Sequence, residues 1–209
     1  MLSENTIIFN IEYYQGELNE LYSLLLVLEN DKFLNKCNVE NKDLSDIKNN
    51  IKFLSFFISS FLDILTSLKV LYDTKISWER KFHIKNAFVA IYETIKTFNV
   101  HQKDIRNLIL NRYNEIENEY NSVNKKVKEF KKKHKYDTNI ADFRNKAGAH
   151  YSKDFIEYIE NLNKIDNPNS FIGIVEFSYI LNDILNLWEK IIEKQREELI
   201  TKTTPNNDK

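Results

Sequence analysis

The chain reads as all-α, an up-and-down bundle of about six helices with long central members, and three observations predict this class. Only three Gly and two Pro occur in 209 residues, far below ordinary usage, whereas sandwiches and barrels need such residues at many tight turns. Apolar residues recur at alternating spacings of three and four, the period of one helix face. No stretch alternates apolar and polar residues long enough to make a strand of more than a few residues. With 42 % hydrophobic and 29 % charged residues, a single globular domain is expected over residues 1–200, followed by a polar tail over 201–209.

The first helix is expected from about Ile11 to Glu29, where Ile11, Tyr14, Leu18, Leu21, Leu25 and Leu28 form one stripe. Asn30 to Lys42, rich in Asn and Lys and without a period, reads as a loop. The second helix has the cleanest pattern: Leu44, Ile47, Ile51, Leu54, Ile58, Phe61, Leu65, Leu68 and Tyr72 step by three and four without a miss. Phe53, Phe56 and Phe57 widen that stripe, which predicts a central helix contacted on several sides, and Asp43 can cap its start.

Ser77 is a good cap for a third helix ending near Phe98, with Phe88, Ile91, Tyr92, Ile95 and Phe98 on its buried face. Glu93 borders that face and reads as a solvated helix glutamate rather than an acid aimed at an active centre. Asn99-Val100-His101-Gln102 reads as a connection. A fourth helix is expected from Asp104 to Lys133, with Ile109, Tyr113, Ile116, Tyr120, Val123, Val127 and Phe130 on one side. Its length suits a projecting arm or packing against a second chain. Tyr136 to Asn139 supplies a turn, a fifth helix follows with a break near Tyr151 to Lys153 that Ser152 can cap, and Asp166 to Ser170 is the clearest turn. A sixth helix is expected from about Phe171 to Leu199.

The net charge of −1 argues against a generic nucleic-acid binder, but it conceals a local imbalance. Seven lysines and one acid, Glu129, lie between Lys125 and Lys135, while Glu115, Glu117 and Glu119 precede them. Such a run is a solvated basic helix end, complementing the helix dipole, or a phosphate-contacting surface. Cys37 is the one cysteine, which excludes an internal disulfide and a cysteine-based zinc site. No metal or cofactor is expected. The longest uncharged apolar run, Phe53 to Leu62, has ten residues, short of the roughly 20 that a spanning helix needs. No cationic-then-apolar leader follows Met1, so a cytoplasmic protein without a membrane partner is expected.

Charge, imidazole and tiny side chains meet in one place, Arg144-Asn145-Lys146-Ala147-Gly148-Ala149-His150. On an α-helix Arg144 and His150 would sit about 120° apart, with Ala147 midway, so a guanidinium and an imidazole flank a smooth floor. Arg grips phosphate bidentately and stays charged; His gives and takes protons near neutrality. Together they suit metal-independent RNA cleavage, in which the ribose 2′-hydroxyl attacks the adjacent phosphorus and Arg stabilises the phosphoryl oxygens. Asn145 can orient the His or the scissile group. One chain offers a single motif His where acid and base are ideally two groups, and a symmetric dimer would provide both.

Arg144-Asn145-x4-His150 resembles the signature of the HEPN superfamily, in which Arg, often followed by a polar residue, precedes His on a late helix of an α-helical bundle. The gap of five residues between Arg144 and His150 falls within that family's range, and Asn145 matches its favoured residue after Arg. The resemblance implies an endoribonuclease acting in phage defence by abortive infection, or as a toxin, with Arg144, Asn145 and His150 as the catalytic group. It implies a homodimer with the motif helices facing each other, and an antitoxin or another defence protein as a further partner. Toxin members paired with nucleotidyltransferase antitoxins often carry a tyrosine two residues beyond the His; here Tyr151 follows at once and Ser152 takes the second place. Lys131, Lys132, Lys133 and Lys146 are the expected RNA contacts. The alternative is a non-catalytic HEPN-like module that binds RNA or a protein.

Overall fold

In the computed structural model residues 3–29, 41–148 and 154–203 are described. They form seven helices and, among the described residues, no strand. The helices are α1 (Glu4–Leu28), α2 (Asn41–Asp73), α3 (Ser77–Arg112), α4 (Glu117–Lys133), α5 (Ile140–Phe143), α6 (Phe155–Ile165) and α7 (Pro168–Thr203). A single 3₁₀ turn, Asn114–Ile116, joins α3 to α4, and a π-helical turn, Arg144–Gly148, follows α5. The all-α class and the long central helices are as the period predicts. The Asn- and Lys-rich connection over 30–40, Cys37, Tyr151, Ser152 and His150 lie outside the described residues.

α2 is the central helix, packed against α1, α3 and α7. Its predicted stripe is buried through Ile47, Ile51, Leu54, Ile58, Phe61, Leu65 and Leu68, and Phe57 and Ile64 extend it to a second face. Each such side chain contributes about 1.5–3 kcal/mol on leaving water. Trp188 of α7 is the hub: its fully buried ring lies edge-on to Phe57 at 4.9 Å and to Phe53 and Phe98, each at 6.3 Å, tying α2, α3 and α7 together. Asn50 and Gln195 hydrogen-bond across the same interface at 3.0 Å. α2 and α7 are also long and apolar enough, by length and composition, to cross a membrane, with mean hydropathy of 1.6 and 1.2 over 18-residue windows. About half of each window is buried in the bundle (50 % and 56 %), the pattern of core helices covering one another.

Three expected boundaries are wrong. α1 starts at Glu4, seven residues before the expected Ile11, and Ile7 in that added turn is fully buried. α3 runs straight through Asn99 to Gln102, because Ile105 and Ile109 continue its buried face and nothing there forbids a helix. The expected helix from Asp104 to Lys133 does not exist as one arm. The chain turns at Tyr113, whose φ of −136° and ψ of 50° end α3, and α4 returns antiparallel along it. Tyr120 donates its hydroxyl to the Gln102 carbonyl at 3.1 Å, and Gln102 also bonds Asn124. Ile109, Tyr113, Ile116 and Tyr120 are buried on both sides of the corner, so the spacing of apolar residues passes through it without a slip.

The caps also differ from expectation. Ser77 is the first helical residue of α3 rather than its cap; Thr74 Oγ1 accepts from the Ile76 amide instead. Asp43 lies inside the first turn of α2. Asp154 caps α6, accepting from the Ile156 and Glu157 amides at 2.9 and 3.2 Å. Asn167 caps α7 through Ser170, with Pro168 at the first helical position, where a missing amide costs nothing.

α4 ends in a Schellman motif, with the Tyr136 amide on the Lys131 carbonyl at 2.9 Å and the Lys135 amide on that of Lys132 at 3.4 Å. Lys135 has φ of +48°, a left-handed conformation that costs a residue with a Cβ about 1–2 kcal/mol. The motif aims Tyr136 back into the core and sets His134 against α7. A Cβ at Gly173 would stand 3.1 Å from His134 Nδ1, so glycine is what lets the imidazole lie against that helix.

Candidate active site

The site begins with the sequence of α3, which places Tyr92 and Glu93 side by side at the margin of its buried face. Tyr136, brought back by the turn after α4, stacks on Tyr92 with centroids 6.0 Å apart and planes 8° from parallel. Its hydroxyl donates to the Tyr92 carbonyl at 3.3 Å, and burial pushes its phenol well above the usual range, keeping that proton in place. A cation lies over each ring. Arg144 covers Tyr92 at 5.0 Å and Lys131 covers Tyr136 at 5.0 Å, while Lys96 approaches Tyr92 at 5.9 Å.

Arg144 is held from a second direction. Glu93 Oε1 accepts from Arg144 Nε at 3.1 Å and from Nη2 at 2.7 Å, and Asn145 Oδ1 accepts from Nη1 at 3.4 Å. Guanidinium has five N–H donors; among the described residues these contacts engage three, leaving one on each Nη for an incoming anion. Both side chains are about one-third exposed, 29 % for Arg144 and 32 % for Glu93, so the pair is open to ligand from solvent. Glu93 is thus the partner of Arg144 and not the solvated glutamate expected. Its signal in the sequence was its place beside the buried face; the pairing across 51 positions had no local trace.

The motif segment is not the regular α-helix assumed for its angular layout. Arg144–Gly148 is a π-helical turn, wider than an α turn, so the 120° separation does not carry over. His150 lies outside the described residues.

The predicted residues fall into two groups. Arg144, with Asn145 against it, lies over Tyr92, and Lys131 lies over Tyr136, the ring stacked on Tyr92. Lys146, paired with Asp142 at 3.0 Å, and Lys133, paired with Glu176 at 2.6 Å, line a cleft that the first group does not line. Lys132 is exposed on the outer face of α4. Among the described residues no three His, Cys, Asp or Glu side chains converge as a metal-holding group.

Comparison with known proteins returns no matching family model, no matching curated protein and no matching solved structure.

Proposed function

We propose that the chain is a metal-independent endoribonuclease of HEPN type that serves phage defence by abortive infection or acts as a toxin in the cytoplasm. One observation carries the reading: Arg144 is fixed by Glu93 and Tyr92 with N–H groups still open to solvent. A guanidinium so placed is pre-organised for a phosphate and needs no rearrangement as charge develops on the phosphoryl oxygens. In this mechanism Arg144 stabilises those oxygens, Asn145 steadies Arg144, and His150 takes the proton of the attacking 2′-hydroxyl or delivers one to the leaving 5′-oxygen. A second copy of the chain supplies the other His of the acid–base pair. Lys131, over the Tyr136 ring, would meet a further phosphate of the RNA, and Lys132, Lys133 and Lys146 would extend the cationic surface. The partners proposed are RNA, the second copy, and an antitoxin or defence protein that restrains the activity.

The test is cleavage of RNA by purified protein in EDTA, with 2′,3′-cyclic phosphate ends as the expected product. His150→Ala, folded by circular dichroism, is expected to lose cutting; unchanged cutting in that variant removes the assignment. RNA binding without cleavage by the wild-type protein would instead identify the non-catalytic binding module, which the same cation–tyrosine surface supports.

A further inference from the structure

α1 carries two apolar stripes, and among the described residues the bundle covers only one. Ile7 and Tyr14 are buried against the core, with Ile11, Leu18 and Leu21 packed beside them on the side that meets α2. Tyr14 also donates its hydroxyl to Asn182 Oδ1 of α7 at 3.3 Å. The second stripe, Phe9, Tyr13, Gly16, Glu20, Leu24 and Val27, steps by four and three along the outer face, and all six residues are exposed. A helix apolar on both faces is ordinarily covered on both. Phe9 is 65 % exposed, yet its ring stacks on Tyr13 with centroids 6.4 Å apart and planes 14° from parallel. The two rings form a platform rather than scattered apolar side chains.

The charge on this face has one sign. α1 contains four acids, Glu4, Glu12, Glu17 and Glu20, and no Lys or Arg. Among the described residues none of the four is ion-paired, whereas Glu29, just past the helix, takes Lys48 and Lys52. Glu189 of α7 is half-buried and acts on Glu17. The Glu17 carboxylate foremost, then burial, Glu189 and Glu20 hold the Tyr13 phenol above its usual range. Gly16 lies in the middle of the face. Glycine inside a helix is disfavoured relative to alanine, and the chain itself does not call for it. No described glycine has positive φ, and a Cβ here would meet no described atom within 4 Å. Close approach of a backbone from another molecule is a physical reason for it.

A second copy of the chain does not fit this face. An antiparallel pair centred on Gly16 would set the Glu12 and Glu20 carboxylates of the two copies together, and like charges in an interface are costly. We propose that the outer face of α1 docks a different protein through a cationic amphipathic helix. Its apolar stripe lies on Phe9, Tyr13, Leu24 and Val27, its lysines or arginines meet Glu17, Glu20 and Glu189, and its backbone comes closest at Gly16. The face shares no residue with the Arg144 site, so docking and cleavage stand or fall separately.

Fluorescence-anisotropy titration of the full chain, without RNA, with two labelled helical peptides about five turns long tests this. Both carry a leucine stripe at helix spacing; one flanks it with lysine, the other with glutamate. The lysine peptide is expected to bind saturably, roughly tenfold tighter than the glutamate peptide, and to weaken with added salt. Phe9→Ser with Leu24→Ser, and separately Glu17→Gln with Glu20→Gln, are each expected to weaken it roughly tenfold. Gly16→Leu is the sharper variant. Its side chain enters open space, so Tm should hold or rise, while binding falls by a similar factor. No saturable binding of the lysine peptide, equal affinity for the two peptides, or undiminished binding in folded Gly16→Leu overturns the proposal. So does a wild-type dimer in sedimentation that Phe9→Ser with Leu24→Ser dissociates, which gives the face to a second copy. Flotation with phosphatidylcholine vesicles that the same substitutions abolish overturns it too, and gives the face to a lipid surface.

Discussion

Glu93 Oε1 receives both the Nε and the Nη2 of Arg144, at 3.1 and 2.7 Å, while Arg144 lies 5.0 Å over the ring of Tyr92. Adjacent residues of one helix thus fix a guanidinium from its edge and its face. A pair this exposed contributes modestly to stability, on the order of 1 kcal/mol or less, so its removal should cost the fold little.

On the proposed endoribonuclease reading, Glu93→Gln is therefore expected to lower the RNA cleavage rate by about tenfold, equivalent to about 1.4 kcal/mol of transition-state stabilisation, with little change in Tm. Arg144→Lys is expected to lose more, roughly a hundredfold, because an ammonium cannot hold Glu93, cover Tyr92 and grip phosphate together. Rate assays beside thermal melts separate the two effects. A fall in Tm that accounts for the lost activity of Glu93→Gln would show the pair to be structural only.

The lysines expected to contact RNA should not be equivalent. Lys131 lies over the Tyr136 ring that stacks on Tyr92, whereas Lys133 is tied to Glu176 and lines the cleft. Neutralising Lys131 is expected to reduce the slope of log K against log salt for single-stranded RNA by about 0.7, the value for one phosphate contact. Lys133→Gln is expected to change that slope less. Equal slopes in the two variants would mean that binding does not distinguish the two lysines.

Gly173 and His134 should be coupled. Alanine in a helix interior is worth about 1 kcal/mol over glycine, but a Cβ at 173 meets an imidazole held by Glu176 at 2.9 Å and packed on Phe130 at 4.6 Å. In a His134→Ala background, Gly173→Ala is expected to raise Tm by about 2–4 °C, the shift for 1 kcal/mol in a domain of this size. With His134 present the gain should shrink or reverse. Denaturation of the four proteins in the cycle measures the coupling directly.

Burial, with the Glu17 carboxylate second, holds Glu189 above the usual carboxylate range. A raised acid contributes stability that is present below its unfolded value, near 4.3 for Glu, and is lost as pH rises through its folded value. Glu189→Gln should thus match wild type in acid and become the more stable protein as pH rises through that window, with the advantage constant above it. Melting curves from pH 4 to pH 8 check this; an advantage independent of pH would assign it to something other than the charge. The neighbouring Tyr14 phenol, pushed up to about 12 by burial and by Glu189, remains protonated throughout.

The sequence by itself determined the class of the fold, the central place of α2 and the buried face of nearly every helix. These follow from local rules: the helix period reports which side of a segment is buried, and scarce Gly and Pro limit the turns. Tertiary structure alone decided where the long helices break, because the apolar period runs from Ile109 to Tyr120 unchanged while the chain reverses at Tyr113. It also decided what each charge does. Glu93 meets Arg144, Tyr136 stacks on Tyr92, and Lys131 lies over Tyr136 while Lys133 lines a separate cleft. Those pairings join α3, the end of α4 and the π-helical turn, and a period along one helix carries no information about which side chain arrives from another.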